Sequence, residues 1–362
     1  MSNNVIIACC DSLSQRYNIN IKIILMNKKI IGLLLAVIVL VAGFFVLRPH
    51  KNQSSNSAPS LKKVTIGIQT SPAMALAMVA KDKGFFEQEG LDVELKQFTA
   101  GKFALEAFLG GSLDFSISGD VPVTLASLQG NKFVVPAQVV RKTSSEVRVV
   151  ARKDGDLNNA QDYFKAKKRK LATSIGGGPD FFTYEFLNKL GINKDQVEIV
   201  SQTPADMPAA LSNGSVDAIA IFDPFAFIAE KQLGDKAITF RDESIYSELY
   251  VIEAKESVKQ DPATLEKLLK GLVDAEKFTE SNPEEAKQII MNYTKLDKPT
   301  IDSIWSSYDF HIALTPQLSE FLNREAQWAK DTGKVTKDTA TPNFNDYIFD
   351  QPLKSIKPSG VE

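Results

Sequence analysis

From Lys63 onward, short apolar runs alternate with stretches of helical character. Lys63-Val64-Thr65-Ile66-Gly67-Ile68 reads as a strand and Pro72 to Lys81 as a helix. Gly90-Leu91 is a turn and Val93-Glu94-Leu95 a second strand. Phe103 to Leu109 is helical, and Phe115 to Ser118 is a third, short strand leading into Gly119-Asp120-Val121-Pro122. The same order returns downstream. Lys170-Leu171-Ala172-Thr173, the helix Phe181 to Leu190, the turn Gly191-Ile192, Val197-Glu198-Ile199, the helical Met207 to Leu211 and Ala218 to Ile221 repeat it. At a constant offset of 103 residues, Gly111, Ser112, Asp114 and Asp120 fall on Gly214, Ser215, Asp217 and Asp223. Two β-α-β-α-β-α blocks imply two α/β lobes, each built on a parallel, doubly wound sheet. Phe133 to Val140, Val147 to Ala151 and Ser247 to Glu253 are β-rich and can carry the chain between lobes and back. Three helices close the chain, beginning near Asp261-Pro262, Asn282-Pro283 and Thr315-Pro316, where a polar side chain before Pro is expected to cap each.

One apolar run is of another kind. Ile30 to Leu47 is 18 residues without charge, preceded by Lys28-Lys29 and followed by Arg48 and a polar tract, KNQSSNSAPS. As a helix it would reach about 27 Å, close to the ~30 Å thickness of bilayer hydrocarbon. Residues 26–50 are therefore read as a signal peptide or membrane anchor, with an uncleaved anchor through residues 30–47 favoured. Residues 51–61 form a polar tether. Met26 opens a Met-Asn-Lys-Lys start of its own, so residues 1–25 are read as a miscalled start.

Composition narrows the chemistry. A net charge of −2 argues against a nucleic-acid surface. The two Cys, Cys9 and Cys10, lie upstream of the apolar run, so the lobes have no thiol for a disulfide or a zinc module. His50 and His311 stand far apart and form no local metal pair. There is no nucleophile–base–orienter set, so no enzyme, no metal and no cofactor is expected.

Ligands of open α/β sheets bind beyond the carboxyl ends of the strands. Four loops stand at such ends: Gln69-Thr70-Ser71, Ser118-Gly119-Asp120, Ser174 to Gly178, and Phe222-Asp223. Each leads into a helix, whose free N–H groups suit an anion or a polar carbonyl. Gly176-Gly177-Gly178 admits close backbone approach and is not a P-loop, because no Gly-Lys-Ser/Thr follows. Plainer readings stand beside these: Asp120 and Asp223 as helix caps, Asp114 and Asp217 as turn-fixing residues before strands, and the triple Gly as a turn. The Lys165 to Lys170 run reads as a solvated edge, and Trp305 and Trp328 as packing residues.

The stretch from about Lys62 to Glu253 resembles the periplasmic binding proteins of the nitrate/sulfonate/taurine/thiamine-precursor class, and most closely those for aliphatic sulfonates. The resemblance rests on Ile66-Gly67-Ile68-Gln69, Gly84-Phe85-Phe86-Glu87-Gln88-Glu89-Gly90-Leu91, Ser118-Gly119-Asp120-Val121-Pro122, Thr203-Pro204-Ala205-Asp206-Met207, Val216-Asp217-Ala218 and Asp223-Pro224. It implies the type II periplasmic-binding-protein fold: two α/β lobes joined by a hinge, with a helical C-terminal tail. Residues 62–141 and 247–350 would form lobe one, and 142–246 lobe two. The implied function is the extracytoplasmic solute-binding component of an ABC importer. The implied partners are a small solute, a permease and its cytoplasmic ATPase, and the implied state is a monomer. The contacts carried over are Gln69, Ser71, Ser118, Gly119, Asp120, Ser174, Gly176, Gly177, Gly178 and Asp223. The second-lobe loop has glycines where sulfonate binders of this type often place hydroxyls, and Asp180 adds a carboxylate. Arg141 and Lys142 could supply positive charge. A thiamine-pyrimidine precursor or other nitrogen compound, and an anchored ligand-sensing domain, are the alternatives.

Overall fold

In the computed structural model, the strands that are buried along their whole length lie at the centres of two sheets. The structure describes residues 60–142, 147–193, 195–242 and 244–362. The expectations for residues 1–25, 26–50 and nearly all of the 51–61 tether lie outside the described residues. Pro59–Glu362 forms one compact unit.

The first sheet contains β1 (Lys62–Gln69), β2 (Leu91–Phe98), β3 (Phe115–Gly119), β4 (Gln138–Lys142), β10 (Leu249–Ala254) and β11 (Tyr308–Asp309), in the order β11-β4-β10-β3-β1-β2. The second contains β5 (Arg148–Arg152), β6 (Arg169–Thr173), β7 (Val197–Ser201), β8 (Ala218–Ile221) and β9 (Ala237–Phe240), in the order β7-β6-β8-β5-β9. Every residue of β3, β8 and β10 is buried. Strands covered on both faces read as largely apolar runs, broken here by Ser116, Ser118 and Glu253, which bond one another, whereas the edge strands β2 and β7 carry exposed residues along their length.

The sheets are mixed, which corrects the expectation of parallel ones. β1 pairs in parallel with β2 and β3, and β6 with β7 and β8. β10 runs antiparallel between β3 and β4, and β5 antiparallel between β8 and β9. β5 and β10 are the strands that follow a crossing between sheets. A chain returning from the far sheet is not bound by the βαβ rule that keeps the repeats parallel.

The internal echo is also structural. Asp114 Oδ2 accepts from the Thr65 N–H of β1 (2.8 Å), and Asp217 Oδ2 accepts from the Lys170 N–H of β6 (2.8 Å). Each aspartate thus ties its neighbouring strand before its own strand begins. Gly111 and Gly214 have φ of +82° and +80°, a region that L side chains rarely adopt, so both copies keep glycine.

Three long helices follow β10: Ala263–Ser281, Pro283–Thr294 and Gln317–Asp331. Pro283 opens its helix as expected, but Pro262 and Pro316 fall one position earlier, at the cap itself. Of the polar side chains expected to cap them, Asp261 accepts from Ala263 N–H (3.4 Å); no side-chain bond caps the second and third helices. The Gln317–Asp331 helix also reaches the second sheet's layer. Trp328 meets Phe181 edge to face, with ring centroids 5.4 Å apart, and Arg324 pairs with Glu185 at 3.0 Å.

Candidate functional site

The carboxyl ends of β1, β3, β6 and β8 and the start of β10 converge on one buried cleft. Its walls include Gln69, Gly101, Lys102 and Gly119 on one side, and Ser174, Gly177, Gly178 and Phe222 on the other. Glu248 and Tyr250 complete it. The enclosed volume is about 20 Å³, room for roughly one water molecule. Lys102 spans the cleft and donates to the Ile175 carbonyl at 2.7 Å.

Gln69 ends β1, and its amide is doubly engaged. Its Nε2 donates to the Tyr250 hydroxyl (3.0 Å) and its Oε1 accepts from Gly101 N–H (3.1 Å). Ser71 is fully buried and caps the following turn, accepting from Ala73 N–H at 3.2 Å. Ser118 donates to Glu253 Oε1 and Ser116 to Glu253 Oε2, each at 2.6 Å. Glu253 is completely buried on β10 opposite Ser116. Burial pushes its carboxyl up to about 7, against the two serine hydroxyls that hold it down.

Gly119 precedes the Asp120–Leu128 helix. Asp120 accepts from the hydroxyl of Tyr246, from Val121 N–H (2.9 Å) and from Leu249 N–H (3.1 Å). Burial, and then the nearby Glu248 carboxylate, push Asp120 up to about 7. Behind it, Glu325 of the Gln317–Asp331 helix accepts from Thr124 Oγ1 at 2.6 Å. Burial first, then the charge of Asp120, hold Glu325 well above the usual carboxyl range.

The glycine loop is braced from within. Gly176, with φ of +78°, donates its N–H to Asp180 Oδ2 (2.8 Å), and Asp180 pairs with Lys334 at 2.5 Å. Gly177 N–H donates to the buried Ser174 carbonyl at 3.3 Å. Two amides that the sequence offers to an anion are therefore already engaged. Gly178 opens the helix Gly178–Lys189 and faces Glu248.

Of the ten residues singled out in the sequence, Gln69, Gly119, Ser174, Gly177 and Gly178 line the cleft directly. Ser71, Ser118, Asp120 and Gly176 stand behind it, engaged as described. Asp223 stands apart. Its Oδ2 pairs with Arg148 Nη1 at 2.8 Å and its Oδ1 accepts from Phe227 N–H at 3.2 Å, in a group with Glu230 and Arg241.

Lys142, raised in the sequence as a source of charge, proves central. Its side chain is 1% exposed; its Nζ lies 3.4 Å from Glu248 Oε2 and donates to the Tyr250 hydroxyl at 3.1 Å. The Tyr250 and Phe222 rings flank it at 4.5 and 5.2 Å. Arg141 instead points to the surface, 3.4 Å from Asp309. The sequence reading missed Glu248, Tyr250, Glu253 and Tyr246. A signal existed for Glu253: a charge inside the otherwise apolar run Leu249–Ala254 demands a buried partner.

A protein of Bacillus subtilis named for aliphatic sulfonate binding is 26% identical over 331 residues, 90% of this chain and 92% of that one. A binding protein of Brucella abortus is 25% identical, over 63% of this chain and 70% of its own. Among solved structures, the periplasmic aliphatic sulphonate binding protein SsuA of Escherichia coli superposes with a TM-score of 0.68 at 22% identity, covering 80% of this chain and 98% of that one. The alkanesulfonate-binding protein SsuA of Xanthomonas axonopodis pv. citri, bound to MOPS, gives 0.67 at 18%, covering 81% and 100%. At such identities the structural likeness establishes the fold, that of the periplasmic binding proteins. A model of the NMT1-like family matches residues 57–292, well over half of the sequence, and the chain belongs to that family.

Proposed function

We propose that this chain is the extracytoplasmic solute-binding component of an ABC importer, and that it captures a small anionic solute of the aliphatic sulfonate or taurine kind. The observation that carries the reading is Lys142. Its buried ammonium stands directly behind the cleft, against the lining residues Glu248, Tyr250 and Phe222, where the N-terminal ends of two helices, at Gly119 and Gly178, meet from opposite sheets. The names of the Bacillus and Escherichia relatives support the solute class. The fold is one that binds rather than transforms its ligand in those relatives.

On this reading residues 62–141 with 247–350, and 142–246, are two lobes that close over the solute. The hinge is where the chain passes between these two sets of residues. Ligand binding selects the closed arrangement, which a permease then recognises. Residues 30–47 tether the protein at the membrane, and it acts as a monomer.

The buried carboxylates Asp120 and Glu248 favour a second reading, in which the solute presents N–H donors, as an aminopyrimidine does. Thermal unfolding of the purified full-length chain against taurine, alkanesulfonates, nitrate, bicarbonate and aminopyrimidines separates the two. A ligand at 100 times its Kd adds about 2.7 kcal/mol to stability, a shift of several degrees. Stabilisation by sulfonates alone supports the first reading, and stabilisation by aminopyrimidines alone supports the second. No shift with any of them removes both.

A further inference from the structure

We infer that Glu248 is a built-in competitor of the solute: its carboxylate occupies the seat between Gly119 and Gly178, and an anionic solute enters by displacing it and taking over Lys142. The inference rests on the solute reading above and names the residue that sets its charge selectivity.

The geometry comes from the two glycines. A Cβ added to Gly119 would lie 2.5 Å from Glu248 Oε1, and one added to Gly178 would lie 2.7 Å from the same atom. The carboxylate therefore fills the space that two missing side chains leave, one from each sheet's rim. Gly119 caps the Asp120–Leu128 helix and Gly178 is the first residue of Gly178–Lys189, so this is where two helix N-termini place partial positive charge. The other carboxylate oxygen faces the Lys142 ammonium at 3.4 Å. Glu248 thus holds the position and the counter-charge that a sulfonate would need.

Space and charge argue the same way. A cavity of about 20 Å³ leaves no room for a solute of several heavy atoms while Glu248 stays. The buried neighbourhood already holds Asp120 and, behind it, Glu325. Adding an anion beside Glu248 would bury one more negative charge next to an ammonium, that of Lys142, which Glu248 already occupies, while Lys102 across the cleft is turned to the Ile175 carbonyl; a low-dielectric site resists this. Exchanging the carboxylate for the anion leaves the charge balance unchanged. Glu248 immediately precedes β10 and its carbonyl accepts from Lys142 N–H at 2.9 Å, so the displacement requires only its side chain to swing out of the seat.

The test compares the full chain with Glu248→Gln, Glu248→Asp and the double variant Lys142→Met/Glu248→Gln. Binding of taurine, ethanesulfonate, nitrate and an aminopyrimidine is measured by calorimetry, and folding by circular dichroism. Removing the competitor should tighten sulfonate binding about tenfold or more, the worth of one charge-assisted contact. The double variant should bind no anion. Glu248→Asp, whose shorter side chain cannot reach the seat as well, should tighten binding in the same direction, and it carries the test if Glu248→Gln does not fold. Sulfonate binding that appears only in Glu248→Gln supports the inference as well. If the wild type binds sulfonates and the folded single variants at Glu248 bind them equally or more weakly, the inference fails and the solute reading stands. If the wild type binds the aminopyrimidine and Glu248→Gln loses it, Glu248 is a contact and the inference fails. If no anion binds to the wild type or to any variant, the anionic solute reading falls and takes the inference with it.

Discussion

Arg148, the first residue of β5, holds Asp223 across a buried ion pair of 2.8 Å, with both side chains at 4% exposure or less. The same guanidinium pairs with Glu230 at 2.9 Å, so one cation serves two carboxylates. Those partners hold Arg148 well above its already high ordinary pKa, despite burial. Asp223→Ala should therefore act chiefly on folding. Removing one member of a buried pair costs about 3–5 kcal/mol, and the lower end applies because Glu230 remains. Denaturant unfolding measures the cost, and calorimetry with the identified solute should show affinity within about twofold of wild type. A loss of affinity without loss of stability would make Asp223 a solute contact.

Glu253 gives the protein a pH dependence. Its carboxyl rises from 4.5 to about 7 on folding, because it is buried between β3 and β4. The folded state therefore holds this proton more tightly than the unfolded chain. The stability it contributes is complete below about pH 4.5, declines as pH rises, and is lost above about 7. The change amounts to about 3 kcal/mol. Asp120 acts in the same direction. Urea midpoints at pH 5 and pH 8 should differ, and Glu253→Gln should shrink the difference. An equal difference in the variant would show that Glu253 does not titrate in this range.

Gly178→Ala tests the tightness of the closed cleft. Its Cβ would lie 2.7 Å from Glu248 Oε1 and 2.9 Å from the Tyr246 ring. Overpacking of this kind costs about 1–3 kcal/mol, which here falls on the closed arrangement. The methyl would also stand in the seat that the incoming anion takes from Glu248, so solute affinity should drop about tenfold. Small-angle scattering should show a larger radius of gyration with solute present than for wild type. An unchanged radius and affinity would mean that the crossing yields without opening the cleft.

Trp328 joins the Gln317–Asp331 helix to the second sheet's layer through Phe181, and it is 2% exposed. Trp328→Ala should cost about 3–5 kcal/mol. Trp328→Phe should recover most of that loss, because the aromatic packing persists. Thermal unfolding of the two variants measures both; equal losses would point to the indole ring specifically.

What the sequence determined by itself is the repeated architecture. Each short apolar run and each helix is encoded within a few residues, and the 103-residue echo duplicates turns whose chemistry is local: Gly111 with Gly214 for positive φ, Asp114 with Asp217 for the strand tie. The rim loops followed because they stand at strand ends. What only the tertiary structure decided is which groups those rims enclose. β10 slides antiparallel between β3 and β4, more than a hundred residues away in the chain, and brings Glu248, Tyr250 and Glu253 against Lys142, Gln69 and Ser118. No local period records that pairing, because strand order is settled by burial of whole apolar faces. Asp120 and Asp223 share one repeat position and look alike in the sequence. The fold sets one beside Tyr246 and Glu248 at the cleft and the other against Arg148 and Glu230, since the partner that crosses back to each copy is different.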